Sequence, residues 1–262
     1  MEVTKILMAK VSYKNEMIRK RRKKKAFRKL ILFFVLLLSI LITLCFKLPY
    51  FNIVKINVFN NKSITKEEII KLSNINIGSN LFYQNLESSK KLIMSNPYIL
   101  DVNFSRKIPN KVEILVKERK AEFYSTAESK FVIFDKNSMV LELKNNIDNM
   151  KLIRIDGIDV KKLELGKTID DTDGKKVKII STISDLISRK KDGVPDMTSI
   201  DLTDAKDLKV YYGNIYVILG TGYGIEDKLN KAINILQSDG VKSSKGYIDV
   251  SFNGIPVVSL QR

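Results

Sequence analysis

Between Leu30 and Phe46 the chain reads LILFFVLLLSILITLCF, seventeen residues without a charge. That is the short end of the helix length needed to span hydrocarbon, and Lys47 can snorkel to extend it. Beyond it the pattern changes to short periodic runs. Phe51 to Val58 alternates apolar and polar and predicts a strand. Asn60-Asn61 signals a turn. Thr65-Lys66-Glu67-Glu68 is a capping box, in which Thr65 caps a helix and Glu68 returns the bond, with Ile69, Ile70 and Leu72 as the apolar face. Asn76 to Asn80 breaks that helix. A second helix fits Leu86 to Met94, anchored by Leu86, Ile93 and Met94, with Pro97 after its end. Ile99–Ser105 and Lys111–Lys117 then form a hairpin around Pro109-Asn110. Val102, Phe104, Val112, Ile114 and Val116 supply its dry face. The order is β-α-α-β-β.

Residues 120–262 form a second block. Ala121–Tyr124, Phe131–Asp135 and Met139–Leu143 read as short strands, with a turn at Asp135 to Ser138. Leu152–Ile155 leads into Gly157. Val177–Ser188 has helical spacing. Ile200–Leu202, Leu208–Tyr212 and Ile215–Leu219 alternate as strands, and Tyr212-Gly213-Asn214-Ile215 is a hairpin signal. Ile225–Ser238 is a helix. Gly246–Phe252 and Gly254–Leu260 read as the last strands. The expected fold class is α+β: one N-terminal transmembrane helix, a β-α-α-β-β module, then a mostly antiparallel α+β domain.

Composition and charge change this picture in two ways. Of 262 residues 44% are hydrophobic and 29% charged, so most of the chain can fold around a core. There is no His, no Trp and a single Cys. His-based acid–base catalysis, Ser–His–Asp and Cys–His nucleophiles and His/Cys zinc sites are thereby excluded, and Cys45 has no intrachain partner. The net charge is +17, and residues 1–29, with twelve Lys/Arg and two Glu, carry +10 of it. Arg19, Lys20, Arg21, Arg22, Lys23, Lys24 and Lys25 form an unbroken basic run, followed by Arg28 and Lys29. Placed before an apolar stretch, such a run reads as positive-inside topology and attraction to anionic lipid rather than nucleic-acid binding. The N-terminus is then cytoplasmic and residues 47–262 lie outside. A cleaved signal peptide fits poorly, because the apolar stretch is too long and Thr43-Leu44-Cys45 is a poor cleavage site. Leu44 before Cys45 also fails as a lipoprotein site.

The run Phe51-x-Ile53…Val58-x-Asn60, the helix at Thr65, and Asn96-Pro97-Tyr98-Ile99-x-x-Val102 together resemble a POTRA domain. So does the closing stretch Pro109-Asn110-x-Val112-x-Ile114-x-Val116-x-Glu118-Arg119. Here Phe59 replaces the usual small residue before Asn60. With Ile200-Asp201-Leu202, Val217-Ile218-Leu219-Gly220, Lys228-Leu229, Tyr247-Ile248-Asp249-Val250 and Pro256-Val257 behind it, nearly the whole chain resembles the FtsQ/DivIB family of bacterial division proteins. The basic tail and the Lys/Ile/Asn-rich composition resemble its Gram-positive, DivIB side. The implied domains are a basic cytoplasmic tail (1–29), a transmembrane helix (30–46), a POTRA domain (51–119) and a β domain (120–262).

Candidate chemistry is sparse. Gly220-Thr221-Gly222-Tyr223-Gly224 sits where a dinucleotide fingerprint would. However, Ile225 replaces the third glycine, no βαβ unit is expected, and the outside compartment is poor in nucleotides. Asp170-Asp171-Thr172-Asp173-Gly174 fails as a calcium loop, because Ile169 and Ile180 fall at ligand positions. Ser88-Ser89-Lys90-Lys91 and Ser243-Ser244-Lys245 show no burial that would make a Ser–Lys nucleophile. No cofactor, metal or small-molecule substrate is expected. Binding surfaces remain. A chain-terminal strand lies easily at a sheet edge, where it can accept a strand from a partner.

The resemblance implies the same. In the family, the last strand region of the β domain receives a strand from a DivIC/FtsB-like coiled-coil protein, which pairs with FtsL. On this chain the positions are Phe252, Gly254, Ile255, Val257, Val258 and Ser259, with the helix from Ile225 to Gln237 adding side-chain contacts. Val257 and Val258 read equally well as core residues. Pro256 lacks an N–H and would have to face away from an incoming strand. The expected protein is a bitopic division scaffold at the septum that influences septal peptidoglycan synthesis. Its rivals are a POTRA-containing transport or polypeptide-binding component and a membrane-anchored cell-wall enzyme or enzyme inhibitor.

Overall fold

The computed structural model describes residues 2–160, 163–169, 174–190, 193–238, 241 and 244–261, with side chains from residue 19 onward. Asp170 to Asp173 of the acidic run and Ser243 lie outside the described residues. The chain forms two compact units. Residues 1–57, 74–86 and 104–114 make the first, and 58–73, 87–103 and 115–262 the second.

The first unit begins with helix α1, Glu2–Lys47. The basic run and the apolar run therefore share one uninterrupted helix. Its stretch Arg19–Lys47 contains a window of mean hydropathy 2.8, none of which is buried. A core helix of that apolarity would be covered, and lipid is the solvent that suits an uncovered one. A 3₁₀ turn, Pro49–Phe51, follows. The strand expected from Phe51 starts only at Lys55, because Phe51 turns to pack its ring on Phe82, 5.4 Å between centroids. Its carbonyl accepts from Leu81 N–H at 2.9 Å. Ile53 is fully buried and exchanges backbone bonds with Gly78 and Ser79. Arg106 donates to the carbonyls of Leu81 and Gln84, tying that loop down.

The β-α-α-β-β order is as expected: β1 (Lys55–Phe59), α2 (Lys66–Ser73), α3 (Leu86–Met94), β2 (Ile99–Lys107) and β3 (Lys111–Glu118). The three strands form a sheet in the order β1-β3-β2. Val112, Ile114 and Val116 are buried on alternate positions of β3, while Lys111, Leu115 and Lys117 are exposed. Three local readings need correction. Thr65 caps α2 through the Glu68 amide at 3.2 Å, but the Glu68 carboxylate accepts from the Asn96 side chain instead. Met94 is exposed rather than an anchor, and Ser89 is buried in its place on the inward face of α3. Ser89 is therefore not at the surface, but its neighbour Lys90 pairs with Asp101 at 2.8 Å.

The second unit contains a nine-stranded sheet in the order β12-β11-β10-β9-β8-β7-β4-β5-β6. Its strands are β4 (Phe123–Ala127), β5 (Lys130–Phe134), β6 (Val140–Lys144), β7 (Ile153–Asp156), β8 (Ser199–Asp201), β9 (Leu208–Tyr212), β10 (Ile215–Gly220), β11 (Lys245–Asp249) and β12 (Val257–Gln261). Five pairings are antiparallel and three parallel. Helices α4 (Lys175–Ser188) and α5 (Ile225–Leu236) turn Ile180, Ile183, Leu229, Ala232 and Leu236 into the core. There they join Ile155, Ile200, Val210, Val217 and Ile248. The Tyr212-Gly213-Asn214-Ile215 hairpin forms as expected, with Gly213 at φ 64°.

One expectation fails. β10 pairs with β11 in parallel with α5 between them, so a βαβ unit exists. The Gly220–Gly224 turn is still not an open phosphate cradle. A side chain at Gly220 would meet the Ser251 Cβ at 2.8 Å, and one at Gly222 the Ile179 side chain at 3.1 Å. Ile225 is buried, so these glycines serve close packing.

Candidate functional site

The two edges of the nine-stranded sheet are β6 and β12. At the start of β6 the chain covers itself. Val140 N–H donates to the Lys167 carbonyl and Gly166 N–H to the Val140 carbonyl, both at 2.9 Å, and Met139 bridges to Thr168. The Tyr98 hydroxyl donates to Glu142 in the same strand.

At β12 no strand among the described residues pairs with the outer side. Its inner side follows β11 antiparallel, with Asp249 opposite Val257, Ile248 opposite Val258 and Tyr247 opposite Ser259. This pairing depends on Gly246. Its φ is +140°, and a Cβ there would lie 2.0 Å from the Ser259 carbonyl oxygen. Only glycine lets β12 approach so closely.

All six positions expected to bind a partner fall at this edge. Val257, Val258 and Ser259 lie on β12, while Phe252, Gly254 and Ile255 lie in the turn leading into it. Asp249 shapes the start of that turn by accepting from the Ser251 amide at 2.8 Å. Val257 and Val258 are 48% and 46% exposed, which decides against the core reading for both, and Ile255 is 89% exposed. Because adjacent strand residues face opposite ways, β12 is half-exposed on both faces at Val257 and Val258, while Leu260 packs against the core. Pro256 precedes the strand, so its missing N–H takes no part in the β12 ladder.

Two features of the site were not anticipated. One is the Gly246 approach, for which the signal was a glycine inside a strand-like run. The other is a row of rings leading to the edge. Tyr211 and Tyr216 are 5.8 Å apart, and Tyr216 stacks on Tyr247 at 5.7 Å. Tyr247 lies opposite Ser259, so the row ends at the bare strand. No local pattern could bring three tyrosines from three strands together, because that requires the register. Helix α5 spends its apolar face, Ile225, Leu229, Ala232 and Leu236, on the core. The basic residues Arg19 to Lys25, Arg28 and Lys29 are all exposed along α1, ahead of the apolar run.

An apolar helix of membrane-spanning length, a β-α-α-β-β module and a sheet domain whose β12 edge is unpaired among the described residues make up a modular α+β protein. Residues 51–119 match the FtsQ-type POTRA domain family. The chain is 45% identical to cell division protein DivIB of Clostridium tetani, over 87% of each chain. It is 43% identical to DivIB of Clostridium acetobutylicum, over 95% of this chain and 98% of that one. It is also 41% identical to DivIB of Clostridium botulinum strain Hall, over 95% and 97%. The chain belongs to the FtsQ/DivIB family of bacterial cell division proteins, on its Gram-positive side.

Proposed function

We propose that the chain is a single-pass division scaffold that captures partner ectodomains by strand addition to β12. Its N-terminus lies in the cytoplasm and residues 47–262 lie outside. The basic residues of α1 fix that topology and hold anionic lipid. The partners are a DivIC/FtsB-like protein, which supplies the strand, and the FtsL-like protein paired with it. Through them the scaffold acts on septal peptidoglycan synthesis at the division site.

One observation carries this reading. Among the described residues, backbone from Gly166 and Lys167 pairs with Val140 at the start of β6, whereas no strand pairs with the outer side of β12, whose Val257 and Val258 are half-exposed on opposite faces. A bare edge is an aggregation hazard that proteins ordinarily blunt, so an open one with half-exposed valines is a binding surface. Main-chain bonds would supply affinity, and the residues flanking Val258 and Ser259 selectivity.

The test is binding of the full chain, reconstituted in lipid nanodiscs, to the ectodomains of DivIC-like and FtsL-like proteins, against a chain ending at Asn253. Binding lost on truncation, with circular dichroism retained, supports strand addition at β12. Binding unchanged by truncation moves the site away from this edge. No binding by either chain, with binding of unfolded polypeptide, puts the transport reading in its place.

A further inference from the structure

The last turn of α1 is sealed by a residue far along the chain. A helix leaves its final carbonyls without intrahelical partners. Here the Asn80 amide donates to the carbonyls of Cys45 at 3.1 Å and Phe46 at 3.2 Å. The Asn80 carboxamide oxygen accepts from the Phe82 amide at 2.9 Å, which fixes the loop that carries it. Rings complete the joint. Phe46 lies 4.8 Å from Tyr83 and 6.0 Å from Phe82, Phe51 lies 5.4 Å from Phe82, and Tyr50 stands edge-on to Phe51. All of this falls within the first compact unit.

Phe46 closes the uncharged run, so it marks the depth at which the apolar helix ends. A ring centre 4.8 Å from it lies within about one helical turn of that depth. The headgroup layer is roughly 5–8 Å thick on each side of the hydrocarbon. Tyr83 is therefore held at its level, yet it is 67% exposed, and Tyr50 is 65% exposed. A tyrosine has an apolar body and a polar tip, the chemistry favoured at a membrane–water interface. The surroundings that suit these two exposed rings are continuous with those of the exposed apolar helix.

We infer that the loop around Asn80, with Tyr50 and Tyr83, is a bilayer-contact surface seated in the lipid headgroup layer where α1 leaves the membrane. This rests on the single-pass reading. Within the first unit the loop around Asn80 is then held to the end of α1 by a fixed joint rather than by a free tether. The Asn80 cap closes helix carbonyls at the depth where water thins out.

The chain has no Trp, so a single introduced one reports its own surroundings. Tyr83→Trp, Leu37→Trp within the apolar run and Tyr223→Trp are made in the full chain. Tyr223 is 87% exposed in the β10–α5 turn. Each is reconstituted into phosphatidylcholine–phosphatidylglycerol vesicles with and without bromine on the acyl chains. Leu37→Trp and Tyr83→Trp should both emit to the blue of Tyr223→Trp and lose much of their fluorescence to brominated lipid, Leu37→Trp the more. If Leu37→Trp is quenched while Tyr83→Trp behaves like Tyr223→Trp, the contact surface is refuted and the span stands. If neither is quenched, the span itself is refuted and this inference with it.

Discussion

The two edges of the nine-stranded sheet receive opposite treatment. Beside β6 the segment around Gly166 and Lys167 supplies backbone partners, and Tyr98 ties the strand to the polypeptide ahead of the sheet. Beside β12 nothing of the kind is built among the described residues, although both strands carry three apolar residues in five and β12, unlike β6, has no charged one. An unpaired row of N–H and C=O groups is costly only when no partner comes. On the proposed function, the difference separates an edge that serves the fold from one that would serve assembly. It also implies that changes at one edge should move stability and changes at the other should move binding.

The largest effect is expected on the closed side. Arg119 donates to Asp135 at 2.8 Å in the turn that leads into β6, and both side chains are largely buried. Asp135 also accepts from the amides of Asn137 and Met139, so its charge is committed to that turn. Arg119→Ala leaves a buried carboxylate without its counter-charge, which costs about 3 kcal/mol. Chemical denaturation of the full chain in micelles should show a loss of that size. Partner affinity per folded molecule should not change. A matching loss of affinity would mean that the two edges are not independent.

On the open side, Gly246→Ala drives a methyl group into the Ser259 carbonyl. Overpacking of this kind costs roughly 1–3 kcal/mol. The cheapest relief is for β12 to leave β11, so the binding surface goes with it. Partner affinity should fall roughly a hundredfold, about 2.8 kcal/mol. Titration of the reconstituted variant by calorimetry would show it. Retained affinity would argue that the partner does not need β12 in place.

Val258→Lys sharpens the contrast further. The site is half-exposed, so stability should change by only about 0.5 kcal/mol. A charge on an edge strand discourages a second strand from pairing, and affinity should fall about tenfold, or about 1.4 kcal/mol. This variant separates the edge from the fold, because a stability change as large as that of Gly246→Ala would mean Val258 is a packing residue.

Much of this architecture was legible in local pattern, and the exceptions share a cause. The bounds of α3, the Tyr212–Ile215 hairpin and the place of the last strand followed from periodicity and turn residues. The parallel pairing of β10 with β11 did not, because it joins segments separated by a whole helix and leaves no local mark. Nor did the turn at Phe51, whose alternation is genuine but is overruled by its contact with Phe82 some thirty positions on. Glu68 follows the same rule, giving up the capping bond for Asn96. At the candidate site, chain order pointed to an edge strand, the six positions followed from the family resemblance, and the exposure of Val257 and Val258 needed the structure. The glycine that lets β12 dock and the row of tyrosines beside it needed the register.

The smallest effect belongs to the closed edge and is read through pH. Tyr98 donates its hydroxyl to Glu142 in β6. Burial, with the hydrogen bond to Glu142 and that carboxylate's charge adding to it, pushes the phenol well above its ordinary value of about 10. The native state therefore keeps the proton after the unfolded chain has begun to lose it. The resulting stability is fully present below about pH 10 and is lost as pH rises from there through the higher native value. Tyr212, raised by burial alone, loses stability in the same direction. Tyr98→Phe removes one of the two contributions. At neutral pH it should cost about 1 kcal/mol for the lost hydrogen bond. Above pH 10 the variant should fall less steeply than the parent, so the two denaturation curves converge. If instead they stay parallel to the highest pH reached, the Tyr98–Glu142 bond does not hold the β6 edge in solution, and the closure of that edge rests on the backbone bonds to Gly166 and Lys167 alone.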